Sequence, residues 1–381
     1  MNYSIFAPSD SRRYLRWAVA AFFFVQGLSF AAWASRIPDM KNMLHLTEAG
    51  LGTVLLALPL GLMASLPISG WMVTHYGSKK MVLIGAVLYA TTLTFIGFVS
   101  RTEQLVIALF AFGLWGNLTN IAVNTQAVAV EQVYGKSIMA SFHGLWSLAG
   151  FVSAMIGSLF ISVHIPPHIH FIVIALLAFA VICTAYKHTM PDSEKTEGEA
   201  QPMFVKPDRD LLTLGLIGFC AMVCEGAMFD WSGVYFQEAV HVPASMTTLG
   251  YVAFMGTMTG GRFAGDWLAN RLGRRQMLQL SGTLMGTGLA IAVAFPTLVT
   301  ATLGFLLVGF GVSSVVPLVY SATGRSKTMS AVMALAAVSS ISLIGFLLDP
   351  PLIGIVAQFA NLLWSFAIVG VLATLTAYLS T

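Results

Sequence analysis

Long apolar runs separated by short polar joints recur along the whole chain, and each is long enough to cross a bilayer core, for which about 20 residues suffice. Their spacing predicts helices near residues 14–35, 47–74, 79–99, 103–132, 137–162 and 168–188, then near 210–237, 244–271, 274–296, 297–323, 328–357 and 361–379. Between the two sets lies the one long polar stretch, KHTMPDSEKTEGEAQPMFVKPDRD (187–210), whose Glu, Pro and Lys content reads as a solvated linker. The expected fold is an all-α polytopic membrane protein: twelve transmembrane helices in two six-helix, pseudo-symmetric halves. The expected division is an N-terminal six-helix bundle over 1–188, a cytoplasmic linker over 189–209 and a C-terminal six-helix bundle over 210–381.

The halves repeat each other. Gln26-Gly27, Trp33 and Leu51-Gly52 answer to Glu225-Gly226, Trp231 and Leu249-Gly250, with one residue of slippage. The repeat continues into two basic turns, GWMVTHYGSKK (70–80) and DWLANRLGRR (266–275), each between two predicted helices. Parallel six-helix repeats are one of the arrangements found in secondary transporters, with the solute site expected near the membrane midplane. On that reading Gln26 and Glu225 face one another.

Composition agrees with the pattern. Hydrophobic residues make up 57% of the chain, charged residues 9%, and the mean hydropathy is +0.81, far from the roughly one-quarter charge of soluble domains. A net charge of +3 supports no nucleic-acid partner. What matters is where the 19 Lys and Arg fall. With both ends on the cytoplasmic side, fifteen lie inside, Arg36, Lys41 and Arg101 lie outside, and Arg262 falls within a span, which sets the orientation by the positive-inside rule. Arg12, Arg13 and Arg16 before an apolar run could pass for a signal peptide, but the repeat needs the first helix, so it is expected to be retained. Cys183, Cys220 and Cys224 lie in apolar segments without disulfide or zinc spacing and read as packing residues. No metal or organic cofactor is expected, and the partners are a small solute and membrane lipid, the chain acting as a monomer.

The stretch 211–237 holds the most informative residues, Glu225 near its middle and Asp230 a turn and a half further on. A charged carboxylate at that depth costs roughly 2.5–3.5 kcal/mol on insertion scales. Two readings follow: Glu225 is the centre of a solute pathway, or it is tied to a neighbouring helix for packing alone. On span 4, Asn117, Asn120 and Asn124 share one helix face; they line a solute path or bond to neighbouring helices. Span 1 offers Phe22, Gln26, Ser29 and Trp33 on a similar stripe, and amides beside aromatic rings suit a sugar or another neutral polar solute. On span 5, His143, Trp146, Ser147 and Gly150 lie on adjoining positions, His143 being either a proton relay or a packing residue. Arg262 and Asp266 stand four residues apart on span 8, as a pair on one face would, and suggest a gate or structural lock. Asp349 precedes Pro350-Pro351, where lost backbone donors promote a kink, and is read as part of an outer gate. Glu131 is expected to meet the basic turns.

The basic turns between spans 2 and 3 and between spans 8 and 9 resemble the signature of the major facilitator superfamily, Gly-x-x-x-Asp-Arg-x-Gly-Arg-Lys. The likeness extends over the whole chain. WASRIPDM (33–40), EGAMFDWSGVY (225–235), GRFAGD (261–266) and DPPLIG (349–354) resemble its YbjJ-like bacterial inner-membrane branch, near the fucose-permease-like sugar transporters. Thr74 and Asn270 stand where the turn's Asp is expected, and Ser78 replaces a basic residue, which departs from the family's charge-locked cytoplasmic gate.

The resemblance implies a secondary active transporter in the bacterial inner membrane, working by alternating access with both termini cytoplasmic. In fucose-permease-like proteins the coupling carboxylates lie in spans 1 and 4; here those spans offer Gln26 and asparagines, so Glu225, with Asp230 as second choice, is expected to take that role with protons as the coupling ion. Drug export by proton antiport is the nearest rival. That branch carries a Gly-Pro pattern in span 5, whereas HGLWSLAGFVSAMIG (143–157) contains no proline. An enzyme is not expected, since no nucleophile-and-base motif, metal motif or phosphate loop occurs. A membrane sensor would need an output domain larger than the roughly 20-residue linker allows.

Overall fold

The computed structural model describes residues 9–135, 138–191, 208–323 and 331–380. Among them the chain is helical: α1 (Ser9–Ala34), α2 (Ile37–Met43), α3 (Glu48–Leu55), α4 (Ala57–Tyr76), α5 (Ser78–Ile96), α6 (Thr102–Tyr134), α7 (Met139–Ser162) and α8 (Pro167–Ala185). Then come α9 (Arg209–Glu238), α10 (Leu249–Leu272), α11 (Arg274–Ala294), α12 (Leu298–Val312), α13 (Val315–Thr323), α14 (Ala331–Phe359) and α15 (Leu362–Leu379). Eleven helical stretches of the described residues are long and apolar enough to cross a membrane. The twelfth expected span is α10, whose 24 residues reach about 36 Å at 1.5 Å per residue, but which carries Arg262, Asp266 and Arg271. Two expected spans are each interrupted: residues 47–74 form α3 and α4 with a break at Leu56, and residues 297–323 form α12 and α13 with a break at Ser313-Ser314.

The chain divides into two compact units, Met1–Arg36 with Ala57–Glu197, and Ile37–Leu56 with Gly198–Thr381. The sequence predicts a first bundle unbroken from 1 to 188; here α2 and α3 belong instead with the second half. The reason is local. Lys41 is buried and its ammonium is shared between Glu48, at 3.0 Å, and Glu238 at the end of α9. Gln237 donates to Asn42 at 3.1 Å, and Gly52 on α3 lies against the Pro350 carbonyl of α14.

Each unit uses the same helix pairings. In the first, span 1 (α1) packs on span 5 (α7), span 2 (α4) on span 4 (α6), span 3 (α5) on spans 4 and 6, and α1 also on span 6 (α8). In the second, span 7 (α9) packs on span 11 (α14), span 8 (α10) on span 10 (α12), span 9 (α11) on spans 10 and 12, and α9 also on span 12 (α15). The duplication read from Gln26-Gly27 and Glu225-Gly226 is therefore a duplication of contacts. Glycines set how close the helices come, as small residues do where lipid offers no hydrophobic drive for association. Gly113 on α6 sits on the Leu58 carbonyl of α4, and Gly309 on α12 sits on the Phe254 carbonyl of α10, the corresponding pair. Gly27 likewise abuts Trp146 on α7, and Gly226 abuts Asp349 on α14.

A side chain at either contact meets backbone that has nowhere to go. Gly113→Val should destabilise the protein by about 1–3 kcal/mol, the usual cost of overpacking, seen as a lower midpoint of thermal unfolding in detergent. Gly70→Ala in α4, where an added methyl group meets nothing within 4 Å, should leave the midpoint close to wild type.

Candidate functional site

Helix α9 is the centre of the second unit. Every residue from 223 to 236 is buried, as expected for a helix apolar all round, so Glu225 and Asp230 enter the interior because the helix carrying them is enclosed. Glu225 lies 3.3 Å from the Arg262 guanidinium of α10. Arg262 thus has a cross-helix partner in Glu225; the side chain of Asp266, which the sequence offers as a partner on the same helix face, lies outside the described residues. Tyr320 on α13 is within electrostatic range of Glu225 and bonds to Ser339 and Ser342 of α14.

Asp349, expected at an outer gate, stands against Gly226, one residue from Glu225 in the chain; a methyl group built on Gly226 would come within 2.7 Å of a carboxyl oxygen of Asp349. Its side chain is wholly buried and neither oxygen receives a hydrogen bond among the described residues. Asp230, one turn along α9 from Gly226, is within electrostatic range of it. Helix α14 continues through Pro350-Pro351 from Ala331 to Phe359. Trp231 is fully buried and its indole N–H has no partner among the described residues.

In the first unit the expected polar stripes separate into two kinds. Gln26 is buried and donates to the Gly116 carbonyl of α6 at 2.9 Å; Asn117 is buried and donates to Ser65 of α4 at 2.8 Å. Both thus bond to neighbouring helices, one of the two arrangements offered above for Asn117. Asn120 and Asn124 bond to each other and line an open cavity of about 380 Å³ with Ile121, Thr125, Val128 and Met139. His143 is exposed and meets Phe23 edge-on at 5.1 Å, and Trp146 packs on Phe30 at 6.0 Å. Trp33 is buried with its N–H unpartnered among the described residues, and so is the Ser29 hydroxyl. Glu131, expected near the basic turns, accepts from the backbone N–H groups of Ile138 and Met139 at 2.8 and 2.9 Å, capping the start of α7.

Residues 18–336 match the sequence profile of the Major Facilitator Superfamily. The chain belongs to this superfamily. Its relatives include an uncharacterized MFS-type transporter of Yersinia pestis, 33% identical over 92% of this chain and 91% of that one. The membrane protein MosC of Rhizobium meliloti is 30% identical over 91% of this chain and 84% of that one. Among solved structures, the nucleoside transporter NupG aligns with a TM-score of 0.73 at 13% identity, covering 96% of this chain and 97% of that one. A bacterial homolog of the human lysosomal transporter Spinster aligns at 0.76 and 13% identity, covering 98% and 97%. At that identity the likeness is one of fold. The protein is a polytopic membrane transporter of the superfamily, and membership of it accounts for the want of enzymatic motifs.

Two polar centres escape the sequence reading. Arg36, buried at the end of span 1, donates to Nδ1 of the buried His170 at 3.1 Å and to the Ile165 carbonyl at 2.8 Å. The other is the Lys41, Glu48 and Glu238 cluster. The signal for both is a charge beside an apolar run, but each partner lies too far along the chain for spacing to name it.

The Glu225–Arg262 pair gives a direct test. Arg262→Ala strands a buried carboxylate, and breaking a buried pair in this way costs about 3–5 kcal/mol. The unfolding midpoint in detergent should fall, and adding Glu225→Gln should recover most of the loss. Equal melting of wild type and the single variant would show that the pair contributes nothing.

Proposed function

We propose that the protein is a secondary active carrier of a small polar organic solute, a sugar or sugar derivative, moved across a bacterial inner membrane by alternating access with protons. The observation that carries this reading is the polar centre enclosed around α9: Glu225 with Arg262 on one side, Asp230 and Asp349 on the other. Ionisable groups are expensive in a membrane and mark solute or proton pathways in the proteins that retain them. Packing alone would be served by apolar residues of similar volume at no such cost.

We assign solute contact in the second unit to Glu225 and Trp231, where a hydroxyl-bearing solute could accept the indole N–H that the described residues leave unpartnered. In the first unit, Asn120 and Asn124 are the amides that line an open cavity, and His143 and Trp146 on α7 are assigned to solute with them. Gln26 and Asn117 hold their helices together in this state and are assigned to solute only in a rearranged one. Trp33 has the same unanswered donor as Trp231, its counterpart in the repeat. Arg262 belongs with the charge balance of the centre rather than with a separate gate. The resemblance to the YbjJ-like and fucose-permease-like branches supports the sugar class, and the distribution of basic residues supports cytoplasmic termini.

Uptake into proteoliposomes with an alkaline interior tests this directly. Labelled neutral sugars, sugar acids and amino sugars are offered in turn, and at least one should accumulate well above protein-free vesicles. Glu225→Gln should remove that accumulation. Extrusion of an amphipathic dye with no sugar uptake would replace this reading by drug export, and no flux of any compound would overturn the carrier reading.

A further inference from the structure

Asp349 sits in a place where a bare charge has no answer. Its side chain is wholly buried, and neither carboxyl oxygen receives a hydrogen bond among the described residues. Burying an ionised group without pairing or hydrogen bonds is among the most costly arrangements a protein can adopt. The groups around it add no cation. On α9 stand Cys224, Glu225 and Asp230, of which the two carboxylates are of like sign. On α13 stands Tyr320, and on α10 Arg262, whose guanidinium is placed on Glu225. On α3 the one titratable residue is Glu48, held by Lys41, and on α15 it is Tyr378, in the last turn. No third metal-ligating side chain converges on this pair among the described residues, so a cation held by protein groups lacks its ligands.

The seat itself is built. Gly226 leaves a notch on α9, and the carboxyl of Asp349 fills it; a methyl group there would come within 2.7 Å of the oxygen and 3.0 Å of the carboxyl carbon. In the first unit the matching glycine, Gly27, admits the backbone of Trp146. The second unit uses the same notch for an acid.

We propose that Asp349 is a proton-binding site of the second unit, holding its proton in the Gly226 notch and exchanging it with Asp230 one helical turn away. In that exchange an O–H bond on Asp230 breaks as one forms on Asp349, so the total charge of the two carboxyls is unchanged. Asp230 is the more accessible of the two, 8% exposed against 0% for Asp349, and is the route by which the proton enters. Glu225, already matched by Arg262, is left to the solute. This inference rests on the proton-coupled reading above and names the group that carries it.

The proton itself is the probe. Infrared difference spectra of the reconstituted wild-type protein, recorded between acid and alkaline pH, should contain a C=O stretch from a buried protonated carboxyl. Asp349→Asn should delete that band, and Gly226→Ala should displace its frequency by crowding the carboxyl. Should Asp349→Asn fail to fold, Asp230→Asn serves: the band should persist with its titration midpoint moved, because the neighbouring charge is gone. A spectrum of Asp349→Asn superimposable on wild type, or a midpoint unmoved by Asp230→Asn, would overturn the proposal. The measurement needs no solute, so its failure would remove this assignment alone, while the carrier reading stands or falls with the flux screen.

Discussion

A polar group in hydrocarbon has no water to turn to, and that constraint organises this protein more than any other. Nearly every buried charge or amide singled out here is answered from another helix: Gln26 by Gly116, Asn117 by Ser65, Arg36 by His170 and Ile165, Lys41 by Glu48 and Glu238, Glu225 by Arg262. Each such bond joins separate elements and so fixes which helices are neighbours. Against that background the unanswered groups stand out. Asp349 and the indoles of Trp33 and Trp231 lack partners among the described residues, and it is there that the protein has capacity left for something that comes and goes.

Close approach of backbones is the second condition. Glycine at Gly113 and Gly309, and again at Gly27 and Gly226, brings helices together at corresponding places in the two units. The same pairing scheme thus recurs in both units with different side chains in the contacts. Divergence is concentrated where chemistry differs: Gln26 is the counterpart of Glu225, an uncharged amide bonded to a carbonyl in one unit and an acid bonded to a guanidinium in the other.

Much of the fold is legible in the sequence because it is written in period and length. Apolar runs set the spans, the repeated dipeptides set the duplication, and most helix ends differ from expectation by a few residues. The breaks at Leu56 and at Ser313-Ser314 are not legible, since both lie within otherwise apolar sequence. Of the polar centres, Glu225 is visible as a charge out of place, but its partner is not. The contact between Glu225 and Arg262 depends on how α9 and α10 meet, which spacing along one helix does not carry. The surroundings of Asp349 are hidden for a similar reason: they are decided by the notch at Gly226 on another helix, which the neighbouring Pro350-Pro351 does not signal.

The membership of α2 and α3 in the second unit has a topological outcome. The backbone passes from one unit to the other at residues 36–37, returns at 56–57, and is in the second unit again by residue 208. The linker is only the last of three crossings. A nick there would leave a fragment whose own arm, residues 37–56, remains threaded into its companion through Lys41 and the seam with α14. Proteolysis in the linker would then yield two polypeptides that still travel as one particle.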